Sequence, residues 1–295
     1  MHMEPLGNVT FNGKILGDLD ISGLAVVGDF LVMCSDETAT VQVLKKDGVN
    51  YTVLHDLILD PSGKEVDLEG VAAEGNTVYV TGSHSRVRKE NEAAPGVLPI
   101  LDDKKHREQF FRFTLDAAGK PGRVETKSLK KALDKDPILK DFIPIASKEN
   151  GIDIEGLAVK KGVLYFGFRG PVLRDNWVPI LTCTFDDPTA TAKTVYVNLD
   201  GRGVRDIVAT ADGFLILAGP VGNGHTSYRI YHWDGHDLWS KPAPGQMKRL
   251  ADVPPMGKGK PEGLTVLKQV GNEYELLLVC DGVKNGAPTR WKLKR

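Results

Sequence analysis

Residues 153–171 read DIEGLAVKKGVLYFGFRGP. An apolar run, a Lys-Lys-Gly turn and a second β-rich run make a hairpin. Its odd feature is Glu155, a carboxylate at the start of the first strand with a glycine directly behind it. The pattern recurs. DISGLAVVGDFLVMCSDE spans 20–37, DLEGVAAEGNTVYVTGSHS spans 67–85, VRDIVATADGFLILAGP spans 204–220 and PEGLTVLKQVGNEYELLLVCDG spans 261–282. The runs are mostly apolar rather than alternating, as in strands covered on both faces.

Aligning the acids of these units places Ser22, Glu69, Glu155, Asp206 and Glu262 at one position. The successive intervals are 47, 86, 51 and 56 residues, and passing through both termini from Glu262 to Ser22 takes 55. A period near fifty with several strands per unit is the signature of a β-propeller. Further strands follow each hairpin, such as TVQVLKKDG and YTVLHDLIL in the first unit and PILTCTFDD and KTVYVNLDG in the third. The last unit ends after TRWKLKR, so the N-terminal GNVTFNGKI is expected to supply its outer strand and close the ring. The wide second interval is read as one blade with two insertions. One, at about 85–108, splits the second and third strands. The other, at about 129–151, follows the fourth and contains a short helix. The expectation is an all-β, single-domain propeller over 1–295, with five four-stranded blades. Six is the alternative if the second interval hides a degenerate blade.

The chain carries 38 Lys and Arg against 39 Asp and Glu, a formal net charge of −1, so no global field draws in nucleic acid or a membrane surface. No apolar run reaches the length of a membrane span. The start shows no signal-peptide h-region, and the compartment stays open between cytoplasm and periplasm. Three cysteines, Cys34, Cys183 and Cys280, lie in apolar strand-like runs and read as buried small residues rather than a disulfide framework.

In a propeller the N-terminal ends of the inner strands and the C-terminal ends of the second strands open on one face. The first set brings Ser22, Glu69, Glu155, Asp206 and Glu262 to a channel mouth. The second adds Asp36, Glu37, His84, Arg169 and Asp281. Like charges this close cannot all ionise without compensation. Three compensations are open. A hard cation, Ca²⁺ first, would take Glu69, Glu155, Asp206 and Glu262 as ligands. Arg169, Arg202 and Arg205 could pair with the acids, or hold the anionic part of a small ligand, with Asp36 and Asp281 as further ligand-binding residues at the same mouth. Backbone N–H groups of neighbouring blades could be the acceptors' partners, a purely structural staple.

His84 ends a second strand beside these acids, which makes it the candidate general acid or base; the plainer reading is a loop histidine. The insertion after it carries Arg86, Arg88, Lys104, Lys105, His106 and Arg107, and is a candidate lid or simply a solvated charge run. HWDGH at 232–236 has histidines at metal-ligand spacing, but its Asp-Gly is a hairpin turn. No G-x-S-x-G nucleophile elbow occurs.

DIEGLAV, LYFGFRGPVLR, GRGVRDIV with GFLILAGP, and KPEGLTVL with LLVCDG resemble the domain of unknown function DUF3616, over nearly the whole chain. That resemblance implies a propeller and no reaction. The Glu-Gly strand starts are more distantly similar to esterase-like phytase, apyrase and gluconolactonase-type propellers. Those imply a central Ca²⁺ held by inner-strand acids. Here Ser22 replaces one carboxylate, and the asparagine ligand usual in lactonases is not evident. Two functions follow. One is a Ca²⁺-dependent hydrolase of a phosphate ester or lactone. The other is a non-catalytic propeller that binds a small anion or a protein partner on the same face.

Overall fold

The structure, a computed structural model, describes residues 2–89, 101–222, 224 and 226–295. Five antiparallel sheets stand around one axis. Blade 1 comprises Ile21–Val27, Phe30–Ser35, Thr40–Asp47 and Asn50–Ile58 from the axis outward. Blade 2 comprises Leu68–Glu74, Thr77–Gly82, Phe110–Thr114 and Glu125–Lys127. Blade 3 comprises Asp153–Lys160, Val163–Gly170, Trp177–Thr184 and Lys193–Asn198. Blade 4 comprises Gly203–Thr210, Gly213–Gly219, Arg229–Trp233 and Met247–Asp252. Blade 5 comprises Lys260–Val270, Glu273–Asp281, Thr289–Lys294 and, from the other end of the chain, Glu4–Asn8.

Two features of the N-terminus refine the expectation. The closing strand is Glu4–Asn8 rather than 7–15, and it runs antiparallel to Thr289–Lys294. The next residues, Phe11–Asn12, pair in parallel with the outer strand of blade 1 and give that sheet a fifth strand. One segment therefore ties the last blade to the first. No sixth sheet of blade size occurs among the described residues.

Five apolar clusters hold the ring, one in each wedge between neighbouring blades. Val32 and Val43 of blade 1 meet Val71, Val80 and Phe111 of blade 2. Phe110 of blade 2 packs edge-on against Phe166 of blade 3, with centroids 5.3 Å apart. The wedges between blades 3 and 4, 4 and 5, and 5 and 1 repeat the arrangement. This explains the weak alternation in the sequence, since both faces of every blade are inside. Each fully buried Leu, Val or Phe contributes roughly 1.5–3 kcal/mol.

The first insertion carries a small hairpin of Val87–Arg88 with Leu101–Asp102 and a 3₁₀ turn at Lys105–Arg107; its middle lies outside the described residues. The second carries the helix Lys130–Lys135, whose Ala132 and Leu133 pack under blades 2 and 3.

Candidate functional site

Every inner strand has the same irregularity near its start. The pairing with the second strand skips one residue, and the skipped residues are Ser22, Glu69, Glu155, Arg205 and Glu262. A bulged residue is free of the ladder and its side chain is re-aimed, here into the channel mouth. The equivalent position in blade 4 is thus Arg205, not Asp206. Aligning acid with acid shifts that blade by one residue, whereas strand pairing matches Arg-Asp-Ile with the Glu-Gly-Leu of blades 3 and 5.

Asp206 occupies the glycine position. At that position in blade 1 a Cβ on Gly23 would lie 2.4 Å from the carbonyl oxygen of Glu69, and in blade 5 a Cβ on Gly263 would lie 2.4 Å from Leu24 Cδ2. Blade 4 accommodates a side chain by binding it: Asp206 Oδ1 accepts the Ile207 N–H at 2.8 Å and Oδ2 accepts the Leu264 N–H of blade 5 at 2.7 Å. Burial pushes its carboxyl well above the usual range, and these bonds only partly oppose that. Asp206 is a staple between blades, and the structure removes it from the candidate metal ligands.

Arg205 answers what neutralises blades 3 to 5. It is 5% exposed and forks between its two neighbours in the ring, with Nη1 donating to Glu155 at 3.0 Å and Nη2 to Glu262. Arg169 adds a second fork. Its Nε donates to Asp153 Oδ2 at 2.8 Å, its Nη2 reaches the same carboxylate, and its Nη1 lies 2.6 Å from Glu155 Oε1. Burial still pushes the Glu155 carboxyl up to about 7, against the pull of Arg169 and Arg205.

The junction of blades 1 and 2 is different. The Glu69 carboxylate makes no hydrogen bond or ion pair among the described residues, and burial together with Glu155 and Asp67 raises it well above the usual range. Asp36 and Asp67 stand beside it, each with a ligand-capable oxygen within 4.8 Å of the others. Burial, then Asp67, Asp20 and Asp281, push Asp36 up to about 7, and its Oδ1 is buried with no hydrogen-bond partner. Asp67 is pushed by burial to about 6 although Arg107 Nη1 donates to its Oδ2 at 2.7 Å. Arg107 also donates to Ser85 Oγ at 2.9 Å, and Ser85 Oγ–H donates to Asp67 at 3.3 Å.

Asp36, Glu37, Glu69, Glu155, Arg169, Arg205, Glu262 and Asp281 all line one cavity of roughly 1030 Å³ at this mouth. Four residues singled out in the sequence, Ser22, Asp206, Arg202 and His84, do not. Asp206 has been accounted for. Arg202 is buried and turned to the backbone, donating from Nε to the Ser227 carbonyl at 2.7 Å and from Nη1 to the Asp200 carbonyl at 3.1 Å. His84 is 5% exposed, with Nδ1 bonded to the Gly82 carbonyl at 2.9 Å and Nε2 accepting the Leu129 N–H at 3.2 Å. Burial lowers its pKa to about 4, so it stays neutral and anchors the second insertion. A proton-shuttling His84 is thereby corrected to a structural one.

The family model for DUF3616, a protein family of unknown function, matches residues 20–96 and 96–291. The chain belongs to the DUF3616 family. No curated protein matches this DUF3616 chain. Among solved structures it is similar to the glutaminyl cyclase of Myxococcus xanthus, with 12% identity, 100% of this chain and 95% of that chain covered, and a TM-score of 0.50. It is also similar to the exo-β-1,3-galactanase of Phanerochaete chrysosporium, with 11% identity, 98% of this chain and 64% of that chain covered, and a TM-score of 0.52. At such identities the shared property is the fold.

Asp67, Asp153 and Tyr228 of this DUF3616 chain line the cavity without having been singled out in the sequence, and Arg107, which stood there only within the charge run of the first insertion, lines it too. For two of them the signal was visible. DLEG and DIEG each carry an aspartate two residues before the bulged glutamate. Arg107 arrives from the far end of an insertion, and no local pattern announces it. The donor set at the junction of blades 1 and 2 suits a hard cation: carboxylate oxygens only, one of them buried and unpartnered, and no sulfur or imidazole.

Proposed function

We propose that the protein is a metal-dependent hydrolase that acts at the channel mouth on a small phosphate ester or lactone, with Ca²⁺ as the first candidate ion. The observation that carries this is the convergence of Asp36, Asp67 and Glu69, which leaves uncompensated carboxylate at one wall of a large cavity. These three side chains would hold the ion. A bound divalent cation supplies Lewis-acid polarisation of a phosphoryl or carbonyl oxygen and lowers the pKa of water. The ion and its ligands replace the set of four inner-strand acids expected from sequence. Glu155 and Glu262 are already served by arginines, so they shape the opposite wall.

The remaining residues have defined tasks in this reading. Arg107 and Ser85 fix the orientation of Asp67. Arg169 and Arg205 keep Glu155 and Glu262 in place and hold positive charge next to the cavity, where an anionic group gains from it. Glu155, pushed up to about 7, is the group that holds or releases a proton near neutrality in place of His84.

Calorimetric titration of chelator-stripped protein with Ca²⁺ tests the reading, paired with hydrolysis of p-nitrophenyl phosphate and of a δ-lactone with and without EDTA. The expected result is binding with Kd below about 1 mM and turnover that EDTA removes. Turnover that EDTA leaves untouched, with no heat of binding, refutes it. Binding without turnover on either substrate leaves the non-catalytic propeller.

A further inference from the structure

Blade 4 lies across the ring from the junction of blades 1 and 2, and its contribution to the cavity is a pre-set tyrosine. Tyr228 sits just before the third strand of that blade and lines the cavity. Three constraints fix it. Arg202 clamps the preceding residue, with Nε on the Ser227 carbonyl and Nη2 on Ser227 Oγ at 3.1 Å. The Tyr228 carbonyl accepts the Val253 N–H at 2.9 Å. The ring lies over Gly219, where a Cβ would stand 2.5 Å from Tyr228 Cε1 and 2.9 Å from Arg205 Cγ, so the missing side chain makes the space the ring fills. Its hydroxyl has no hydrogen-bond partner among the described residues.

A clamped, half-buried tyrosine with an open hydroxyl is a ligand-facing group: a buried phenol normally finds a partner, and this one faces a cavity instead. The wall around it is rich in oxygen. Thr226 and Ser227 lie in the lining beside Glu262 and Asp281, whose carboxylates Arg205 and Lys260 engage on one side, and Lys258 adds an ammonium that makes no ion pair among the described residues. Such a wall satisfies a ligand that brings several hydrogen-bond donors of its own. At roughly 1030 Å³ the cavity is also far larger than an inorganic anion requires.

We propose that Tyr228 forms a second subsite, across the channel from the Asp36–Asp67–Glu69 cluster, and that it takes the hydroxyl-bearing body of a phosphorylated sugar or polyol. Resting on the hydrolase reading, the inference names its substrate class: the phosphate goes to the cation side and the sugar to the tyrosine side. Arg202, which the sequence offered as an anion ligand, is a positioning residue that acts through Ser227.

The test compares affinities for glucose 6-phosphate, inorganic phosphate and AMP, each with Ca²⁺ and with EDTA, in wild type, Tyr228→Phe and Arg202→Gln. Glucose 6-phosphate is expected to bind at least about tenfold tighter than phosphate, a margin of two hydrogen bonds. Tyr228→Phe should reduce that margin about threefold, the loss of one, while Ca²⁺ and phosphate affinities and the melting temperature stay unchanged. Arg202→Gln should weaken the sugar phosphate without changing phosphate. Equal affinity for glucose 6-phosphate and phosphate in the presence of bound Ca²⁺ overturns the subsite and leaves the hydrolase reading standing. AMP binding as tightly as glucose 6-phosphate overturns the sugar class. If Ca²⁺ does not bind, the reading beneath fails; a margin in EDTA that Tyr228→Phe removes then upholds the subsite, and its absence overturns that too.

Discussion

Replacing Arg205 by methionine deletes a buried cation that serves two blades at once. Glu155 keeps Arg169 at 2.6 Å, whereas Glu262, 7% exposed, loses the only ion-pair partner found among the described residues. Removing one side of a buried pair costs about 3–5 kcal/mol, because the remaining charge is stranded rather than because the pair is itself strong. At 5% exposure Arg205 needs no discount for solvent screening. For a chain of this size each kcal/mol moves the midpoint by about 2 °C, so the expected fall is about 6–10 °C at pH 8. The effect has a pH signature. The Glu155 carboxyl already stands at about 7 in the folded protein, above its usual value, so its burial opposes folding above the unfolded pKa and not below it. Without Arg205 that opposition grows, and the stability difference between variant and wild type should widen from pH 5 to pH 8. Thermal melts of wild type, Arg205→Met, Glu262→Gln and the double variant close a cycle. The double variant should recover most of the loss. A fall under about 2 °C that does not change with pH, or a double variant no better than the single, refutes the account of Arg205 as the ring's internal counter-ion.

Other consequences follow from the same geometry. In EDTA, Glu69→Gln should raise the melting temperature, since it removes a carboxylate that burial holds well above its usual pKa, and the same change should abolish stabilisation by Ca²⁺. Wild type at a Ca²⁺ concentration a hundredfold above Kd should gain about 2.7 kcal/mol, readable as a shift in the melt. Asp36 at about 7 and Asp67 at about 6 are both raised from the ordinary 3.8, so in EDTA their contribution to stability should be full below about pH 4 and decline from there through pH 7; saturating Ca²⁺ should flatten that decline. His84→Gln should lower stability by about 1–3 kcal/mol through the lost bonds to Gly82 and Leu129 and leave the pH profile of turnover unmoved. A catalytic histidine would instead lose about a hundredfold in rate.

The ring, its blade count and its mouth are legible in the sequence because they depend on repetition. Small residues, bulge-forming acids and apolar runs recur at the same place in each unit, and the wedges between blades demand them. The charge balance is not legible, because it depends on which blade breaks the repeat. GRGVRDIV contains both an arginine and an aspartate at adjacent positions. Chemical similarity favours aligning the aspartate with the glutamates, and only the pairing of Val204 with Ala218 and of Asp206 with Leu217 shows that the arginine holds the bulge. His84 misleads for a related reason. Its place at a strand end is right, but a positive φ of 54° turns the ring inward under Leu129, a contact 45 residues away in sequence.

The position of the break decides where chemistry can occur. A ring of four glutamates would repel evenly and would call for a central cation. With arginine in blade 4, the acids of blades 3 and 5 are satisfied by a neighbour on the ring, and each keeps a fixed direction. Ser22 in blade 1 contributes no charge to offset blade 2. The excess therefore falls on Glu69, the ring acid that neither an arginine nor a backbone amide binds directly among the described residues, with Arg169 acting on it only at longer range, and Asp36 and Asp67 add to it from the adjoining strand ends. An off-axis acidic corner faced by a half-neutral wall is a polarised cavity rather than a symmetric one. It gives a bound ion an open side toward the tyrosine of blade 4, and it gives a substrate one direction in which to lie.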